Sequence, residues 1–264
     1  MKKITIIKVG GAIVEHEGQL NQLLDQFAQV DGPKILVHGG GRRATKVATS
    51  LSIESKMVDG RRITDADMLK VVTMVYGGLV NKDIVARLQA RGINALGLTG
   101  ADADVIRSHR RPLKNGIDYG FVGDVDHVKG DLLLSWLDQG IVPVIAPLTH
   151  DGQGHMLNTN ADTMASETAK ALAAYADVTL VYCFEKPGVL SDPADDNSVI
   201  PVITRTDFDR LTADGTIAGG MKPKVENALA AVSAGVGRVI ITQASAIGQE
   251  GGTVIQRSEE RRVG

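Results

Sequence analysis

The sequence predicts a layered α/β protein in which helices cover a mostly parallel sheet. Short apolar runs alternate along the chain with segments of helical periodicity, the rhythm of β-α-β units. Phe, Trp and Tyr make up only 3% of residues while hydrophobic residues reach 43%, so the core must rest on Val, Ile, Leu and Ala. That mix suits strands buried on both faces. At 264 residues the chain is long enough to bury most of its apolar surface.

In chain order, ITIIKV (Ile4–Val9) reads as a buried strand, and Leu20, Leu23, Leu24 and Phe27 then repeat at helical spacing. KILVH (Lys34–His38) is a second strand, followed by a helix marked by Ala44, Val47, Ala48 and Leu51. INALGL, GIVPVIA, DVTLVYCF and GRVIIT are four further strands, with helices near 131–139, 161–175 and 221–235. Three stretches break the rhythm and read as hairpins laid onto the main sheet: Met57–Thr64, the region 101–128, and Thr149–Asn158 with its Asp151-Gly152 turn signal. Between the first two, the stretch 65–80 reads as a helix whose apolar residues cover most of its circumference. One side of it can pack on the sheet. The other leaves an apolar patch, so a twofold homodimer through this helix is expected. The tail RSEERRVG (257–264) is charged and aperiodic and reads as disordered.

Composition excludes several classes. A formal charge of −2 gives no global field for nucleic acid or an anionic membrane. The single Cys183 rules out a disulfide framework within the chain and a four-cysteine zinc site, and its place in LVYCF reads as an inert core thiol. The six His show no metal-ligand spacing. No apolar stretch approaches the ~20 residues of a membrane span, and the run after Met1 is too short for a signal peptide, so a cytosolic protein is expected. The basic run Arg107, His109, Arg110, Arg111 and Lys114 lacks interleaved aromatics and reads as a solvated hairpin.

Glycine is the loudest signal, at 30 residues, and it clusters where chemistry is expected. Lys8 ends an apolar strand just before Gly10-Gly11, facing the crevice where α/β sheets bind ligands. His38-Gly39-Gly40-Gly41 repeats the arrangement of strand, glycines and helix, which brings backbone N–H groups close to an anion. Neither turn is a Walker A loop or a GxGxxG fingerprint. In Asn158-Thr159-Asn160-Ala161-Asp162, alternation places Asn158 and Asn160 on one side, and Asp162 falls at a helix start, where capping is the ordinary role. Gly219-Gly220-Met221-Lys222-Pro223-Lys224 sets lysines in a helix's first turn, against the macrodipole, which points to a bound anion. In Gly60-Arg61-Arg62-Ile63-Thr64, on a hairpin leading into a helix, an arginine fork can grip a carboxylate. No side chain stands out as an activated nucleophile. Lysines, glycine N–H groups, an Asp and an Arg together suit phosphoryl transfer, where catalysis is positioning and charge neutralisation.

The motifs IIKVGG, VHGGG, GRRIT, LNTNAD and GGMKPK occur in the order and approximate spacing of the amino acid kinase family, and the chain resembles it from about Ile4 to Ile255. The resemblance implies a three-layer αβα sandwich around an open, mainly parallel eight-stranded sheet. It implies one domain over 1–256, with an acyl-amino-acid lobe over about 1–175 and an ATP lobe over about 176–256. The implied reaction moves a phosphoryl group from ATP, with Mg²⁺, to the side-chain γ-carboxylate of N-acetyl-L-glutamate in arginine biosynthesis. By the same resemblance, Lys8 and Lys224 neutralise the moving group, Asp162 orients them, and Gly11 and Gly40 donate N–H groups to it. Gly40, Gly41, Arg62, Asn158 and Asn160 bind the acceptor, with Arg62 on its α-carboxylate. Lys8, Gly10, Gly11, Glu185, Gly188, Val189, Leu190, Gly220, Met221 and Lys224 face the nucleotide. No metal ligand among the side chains is implied.

The chain departs from the family at Glu185-Lys186-Pro187, where the usual loop begins with Asp. GLTGADADVIRSHRRP and FVGDV are similar to a branch found with N-succinylated intermediates, so N-succinyl-L-glutamate stands as an alternative acceptor. Carbamate kinase, glutamate 5-kinase and a non-catalytic sensing module are further alternatives. Arg62 with Asn158 and Asn160 argues against the first two, and Lys8 with Lys224 and Asp162 against the third. Arginine-inhibited members carry an extra N-terminal helix, as the resemblance implies. Here the first strand starts about three residues after Met1, so a homodimer insensitive to free arginine is expected.

Overall fold

The computed structural model describes residues 2–58, 60–219, 221–249 and 251–257. The chain runs through β1 (Lys3–Val9), α1 (Gly11–Glu15), α2 (Glu17–Gln29), β2 (Lys34–His38), α3 (Gly41–Ser50), the ribbon β3 (Met57–Val58) and β4 (Arg61–Arg62), and α4 (Ala66–Val72). A π-helical segment, Thr73–Val80, leads without a break into α5 (Asn81–Gln89). Next come β5 (Ala95–Leu98), β6 (Ile106–Arg110), β7 (Gly123–Val128), α6 (Gly130–Asp138), β8 (Val142–Ile145), β9 (Leu148–His150) and β10 (Met156–Asn158). The last part holds α7 (Ala161–Ala173), β11 (Asp177–Phe184), β12 (Val202–Ile203), α8 (Arg205–Ala213), α9 (Met221–Ser233), β13 (Arg238–Gln243) and β14 (Thr253–Ile255).

Eight strands form one sheet in the order β12-β14-β13-β11-β1-β2-β8-β5. The six strands from β13 to β5 are parallel; β14 runs antiparallel to β13, with β12 parallel to β14. The six parallel strands are those expected from the apolar runs. Strand alternation splits the core into two layers. Ile4, Ile6, Ile35 and Val37 pack with Leu133 of α6, Met164 of α7, Phe208 of α8 and Val225 of α9. Ile7, Val9 and Leu36 pack with Leu23 of α2, Ala44 of α3, Met68 of α4 and Ile84 of α5 on the other face. The sandwich has the expected three layers.

Two expectations are corrected here. The hairpins do not lie on the main sheet: β10-β9-β6-β7 form a separate four-stranded sheet, and β3-β4 a two-stranded ribbon. The reason is their polarity, since β6 and β7 each bury only alternate or terminal residues and cannot enter a sheet covered on both sides. The helix after Thr64 is apolar around most of its circumference because its register changes. In the π segment hydrogen bonds close over five residues, so Val75, Tyr76 and Val80 turn inward and only Met74 and Leu79 are strongly exposed large hydrophobics there. Arg257, the first residue of the expected tail, donates to the backbone carbonyl of Val232 at the end of α9; the rest of the tail and Gly220 lie outside the described residues. Among those residues no helix is long and apolar enough to cross a membrane.

Candidate active site

The site lies at the carboxyl ends of β1, β2 and β11. The turns after β1 and β2 abut: a Cβ on Gly39 would stand 3.1 Å from the nitrogen of Gly11, an approach only glycine permits without displacement. Gly10 and Gly40 cap α1 and α3 without any side-chain bond, which leaves the first N–H groups of both helices open to the cleft.

Parity places Lys8. It faces the same layer as Ile4 and Ile6 and pairs in register with Tyr182 of β11, so its side chain meets α7 and α9. Its Nζ lies 2.6 Å from Asp162 Oδ1, with only 8% of the lysine side chain exposed. Asp162 does not cap α7, contrary to its ordinary role at a helix start. Asn160 is the cap, with Oδ1 accepting from Thr163 N–H at 3.0 Å, which frees Asp162 for Lys8. Lys224, in the first turn of α9, rests its Nζ 3.7 Å from the centre of the Phe184 ring, and Lys8 lies 5.5 Å from the same ring. Burial, aided by Lys8, pushes Lys224 below the ordinary lysine pKa, against the opposing pull of Asp162 and Glu185. Lys222, by contrast, is exposed.

Two cavities meet at Gly39–Gly41 and Arg62. The larger, about 580 Å³, is lined by Lys8, Gly10, Gly11, Asp162, Glu185 and Lys224, among others. The smaller, about 160 Å³, is lined by Arg61, Arg62, Tyr76, Asn158 and Asn160 together with the glycine turn. Arg62 is 7% exposed. It donates through Nη1 to Ser55 Oγ and through Nη2 to Gly41 O and Thr45 Oγ1, both at 2.9 Å. No ion pair ties it to a carboxylate among the described residues, so a buried positive charge stands ready for an anionic ligand. Asn158 donates Nδ2 to Thr64 Oγ1 at 2.9 Å, which fixes its amide at the pocket wall.

The structure therefore brings together Lys8, Gly10, Gly11, Gly40, Gly41, Arg62, Asn158, Asn160, Asp162, Glu185, Met221 and Lys224. Gly188, Val189 and Leu190 line neither cavity. Val189 N–H donates to Thr253 Oγ1 at 2.8 Å, and Leu190 bridges to Val199. Phe184 and Tyr76 also line the cavities and are not among the residues expected there. Phe184 alternates along β11 with Tyr182, the partner of Lys8, and so falls on the Lys8 side; Tyr76 depends on the π segment and left no signal. Cys183 is buried, and burial pushes its thiol up to about 12, as an inert core residue requires. Among the described residues no three His, Cys, Asp or Glu side chains gather as a metal site.

The family model for the amino acid kinase family matches residues 3–243. An acetylglutamate kinase from Bacteroides fragilis is 66% identical over 97% of this chain and 98% of its own length. Another from Bacteroides thetaiotaomicron is 67% identical over 97% and 99%. Of solved structures, smu.665 from Streptococcus mutans UA159 superposes with a TM-score of 0.78 at 30% identity, covering 96% of this chain and 98% of that one. With the motifs, the eight-stranded sheet and these full-length matches in agreement, the chain belongs to the amino acid kinase family.

Proposed function

We propose that the protein is a cytosolic kinase that transfers the γ-phosphoryl group of ATP to the side-chain carboxylate of N-acetyl-L-glutamate, a step of arginine biosynthesis. The observation that carries this reading is the Lys8–Asp162–Lys224 cluster, set in a large cleft that joins, at one glycine turn, a small pocket holding a buried guanidinium. In this reading the nucleotide fills the large cleft and the acid fills the pocket, so the two reacting groups meet at Gly11 and Gly40. The acceptor carboxylate is already ionised near neutral pH, so no residue has to take a proton from it. The task left to the protein is to hold two anions together, and two lysines and the glycine N–H groups supply that. Mg²⁺ would come with the nucleotide and would neutralise charge on its phosphates; Asp162 is engaged with Lys8, and among the described residues no three His, Cys, Asp or Glu side chains gather to hold the ion. Incubation with ATP, Mg²⁺ and a panel of acceptors tests this. Release of ADP with N-acetyl-L-glutamate, and none with carbamate or free glutamate, is expected; ADP release only with the latter two overturns the reading.

The alternative acceptor, N-succinyl-L-glutamate, would need a further cation, and Arg61 is the one that lies at the small pocket. Arg61 lines the small pocket with Arg62 and makes no ion pair within 4 Å among the described residues. Burial, with Arg111 nearby, presses its pKa below the usual guanidinium value, against the opposing pull of Asp124. The same panel tests this. If Arg61 holds a second carboxylate, Arg61→Leu raises KM for the succinyl compound by ~10-fold and leaves the acetyl compound within ~3-fold. Equal effects on both remove Arg61 from acyl-group selection.

For assembly, we infer a homodimer through the exposed Met74 and Leu79 face of the π-helical segment. Light scattering on the purified chain is expected to give twice 27.9 kDa, and Met74→Glu with Leu79→Glu to give the monomer. A wild-type monomer or hexamer overturns this assignment.

A further inference from the structure

Three consecutive glycines carry no side chain to choose a backbone orientation, and a glycine peptide flips at little cost. Yet the Gly39–Gly40 peptide is held at one setting by a buried chain of hydrogen bonds that starts more than forty residues away. Asn81 is 1% exposed and His38 is fully buried. Asn81 Nδ2 lies 2.9 Å from the carbonyl of Val144 and 3.1 Å from His38 Nε2. A carbonyl only accepts, so the amide nitrogen must face Val144, and its second proton then points at Nε2. The oxygen of the same amide accepts from Lys82 Nζ at 3.2 Å, which completes its bonding. Nε2 must therefore be bare. Burial holds His38 to a pKa of about 4, so the ring is neutral and its one proton sits on Nδ1. Nδ1 lies 2.8 Å from Gly39 O and donates to it.

This fixes what the next residue presents. Gly39 N–H is tied to Val9 O at 3.0 Å and its carbonyl to His38. In a trans peptide the carbonyl and the following N–H point in opposite directions. Gly40 N–H thus points away from His38; a Cβ on Gly11 would stand 3.5 Å from its nitrogen. No backbone carbonyl among the described residues accepts it. The π segment makes this possible. Its wider turn lets Tyr76, Val80 and Asn81 all reach the end of β2; a Cβ on Gly40 would lie 2.9 Å from Tyr76 Cδ1 and 3.6 Å from Val80 Cγ2.

We propose that His38 and Asn81 are positioning residues that aim the Gly40 N–H at the transferred phosphoryl group. The proposal rests on the reading of the cleft as a phosphoryl-transfer site. It is tested in the full chain by two substitutions that divide the imidazole. In His38→Asn the amide nitrogen falls near the place of Nδ1 and can still donate to Gly39; in His38→Gln the amide falls near Nε2 and cannot. With ATP and N-acetyl-L-glutamate, His38→Asn is expected to keep kcat within ~3-fold of wild type, and His38→Gln to lose ~10- to 100-fold in kcat with both KM values within ~3-fold. A residue that only fills space would give the reverse order, because Asn leaves the larger void. Wild-type kcat in His38→Gln, or kcat losses that simply follow the loss of Tm, overturns the proposal. The ¹⁵N resonances of His38 in the wild-type chain decide independently of folding in the variants. The neutral Nδ1–H form from about pH 6 to 8 supports the proposal, and the Nε2–H form overturns it. A wild-type chain that phosphorylates no acceptor would overturn the functional reading while leaving that tautomer measurement intact.

Discussion

Replacing Lys224 with alanine is expected to lower kcat by ~10²- to 10³-fold while KM for the acceptor stays within a few-fold, the usual cost of removing one preorganised electrostatic donor. The position of the residue explains why kcat should carry the loss. Its Nζ lies on the Phe184 ring, half-buried, beside Lys8 and within the field of Asp162. A lysine there does little for a bound acid whose charge is constant. In the proposed reaction it would act on the charge that builds on phosphoryl oxygens as the group moves. The same surroundings predict a pH dependence. Burial and Lys8 push the Lys224 pKa down and Asp162 holds it up, so kcat/KM for ATP, which reports the free enzyme, should fall on an alkaline limb that begins below the ordinary lysine range. In Asp162→Asn the supporting negative charge is gone, Lys224 loses its proton more readily, and that limb moves to lower pH. Steady-state kinetics across pH checks both parts. A Lys224→Ala enzyme with near-normal kcat, or an Asp162→Asn limb that moves to higher pH, would remove this lysine from the mechanism.

The parts of the site that were legible in the sequence are those set by local pattern. Lys8 beside two glycines, the VHGGG turn and Lys224 in the first turn of α9 each contradict a local preference, and each lines the cleft. The six parallel strands were legible because each is a continuous apolar run. Strands β12 and β14 were not, because two or three residues show no period and acquire strand geometry only from a neighbour. Helix α8 carried a readable start, the capping box of Thr204 and Asp207, but its weak apolar stripe hid it. What was out of reach depends on register over long range. Nothing local separates a π turn from an α turn in TMVYGGLV, yet that turn sends Tyr76 to the glycine loop and Asn81 to His38. Likewise, alternation alone could not say which of Asn160 and Asp162 would cap α7. Lys8, arriving from a strand more than 150 residues earlier, takes Asp162 and leaves the cap to Asn160.

Arg62→Ala is expected to raise KM for N-acetyl-L-glutamate by ~10- to 100-fold, the loss of a charge-assisted pair, with kcat and KM for ATP changing far less. Arg62 is buried, and its three hydrogen-bond acceptors, Ser55, Gly41 O and Thr45, are all uncharged. Keeping a guanidinium in that setting without a counter-ion is unfavourable, and the pocket it lines opens on the glycine turn. A carboxylate bound there keeps the same charge from ground state to transition state, because the bond changes occur at the other carboxylate. Its clamp is therefore uniform binding, which appears in KM and not in kcat. The alanine variant also loses the bond to Gly41 O, so a control is needed to separate clamp from scaffold. Ser55→Ala removes one stay of the guanidinium while keeping its charge, and should raise the acceptor KM by only ~2- to 3-fold. Isothermal titration with the acceptor compares all three enzymes directly. Unchanged acceptor affinity in Arg62→Ala would show that Arg62 braces the ribbon of β3 and β4 against α3 and binds no substrate. Equal losses in Ser55→Ala and Arg62→Ala would assign the effect to the scaffold.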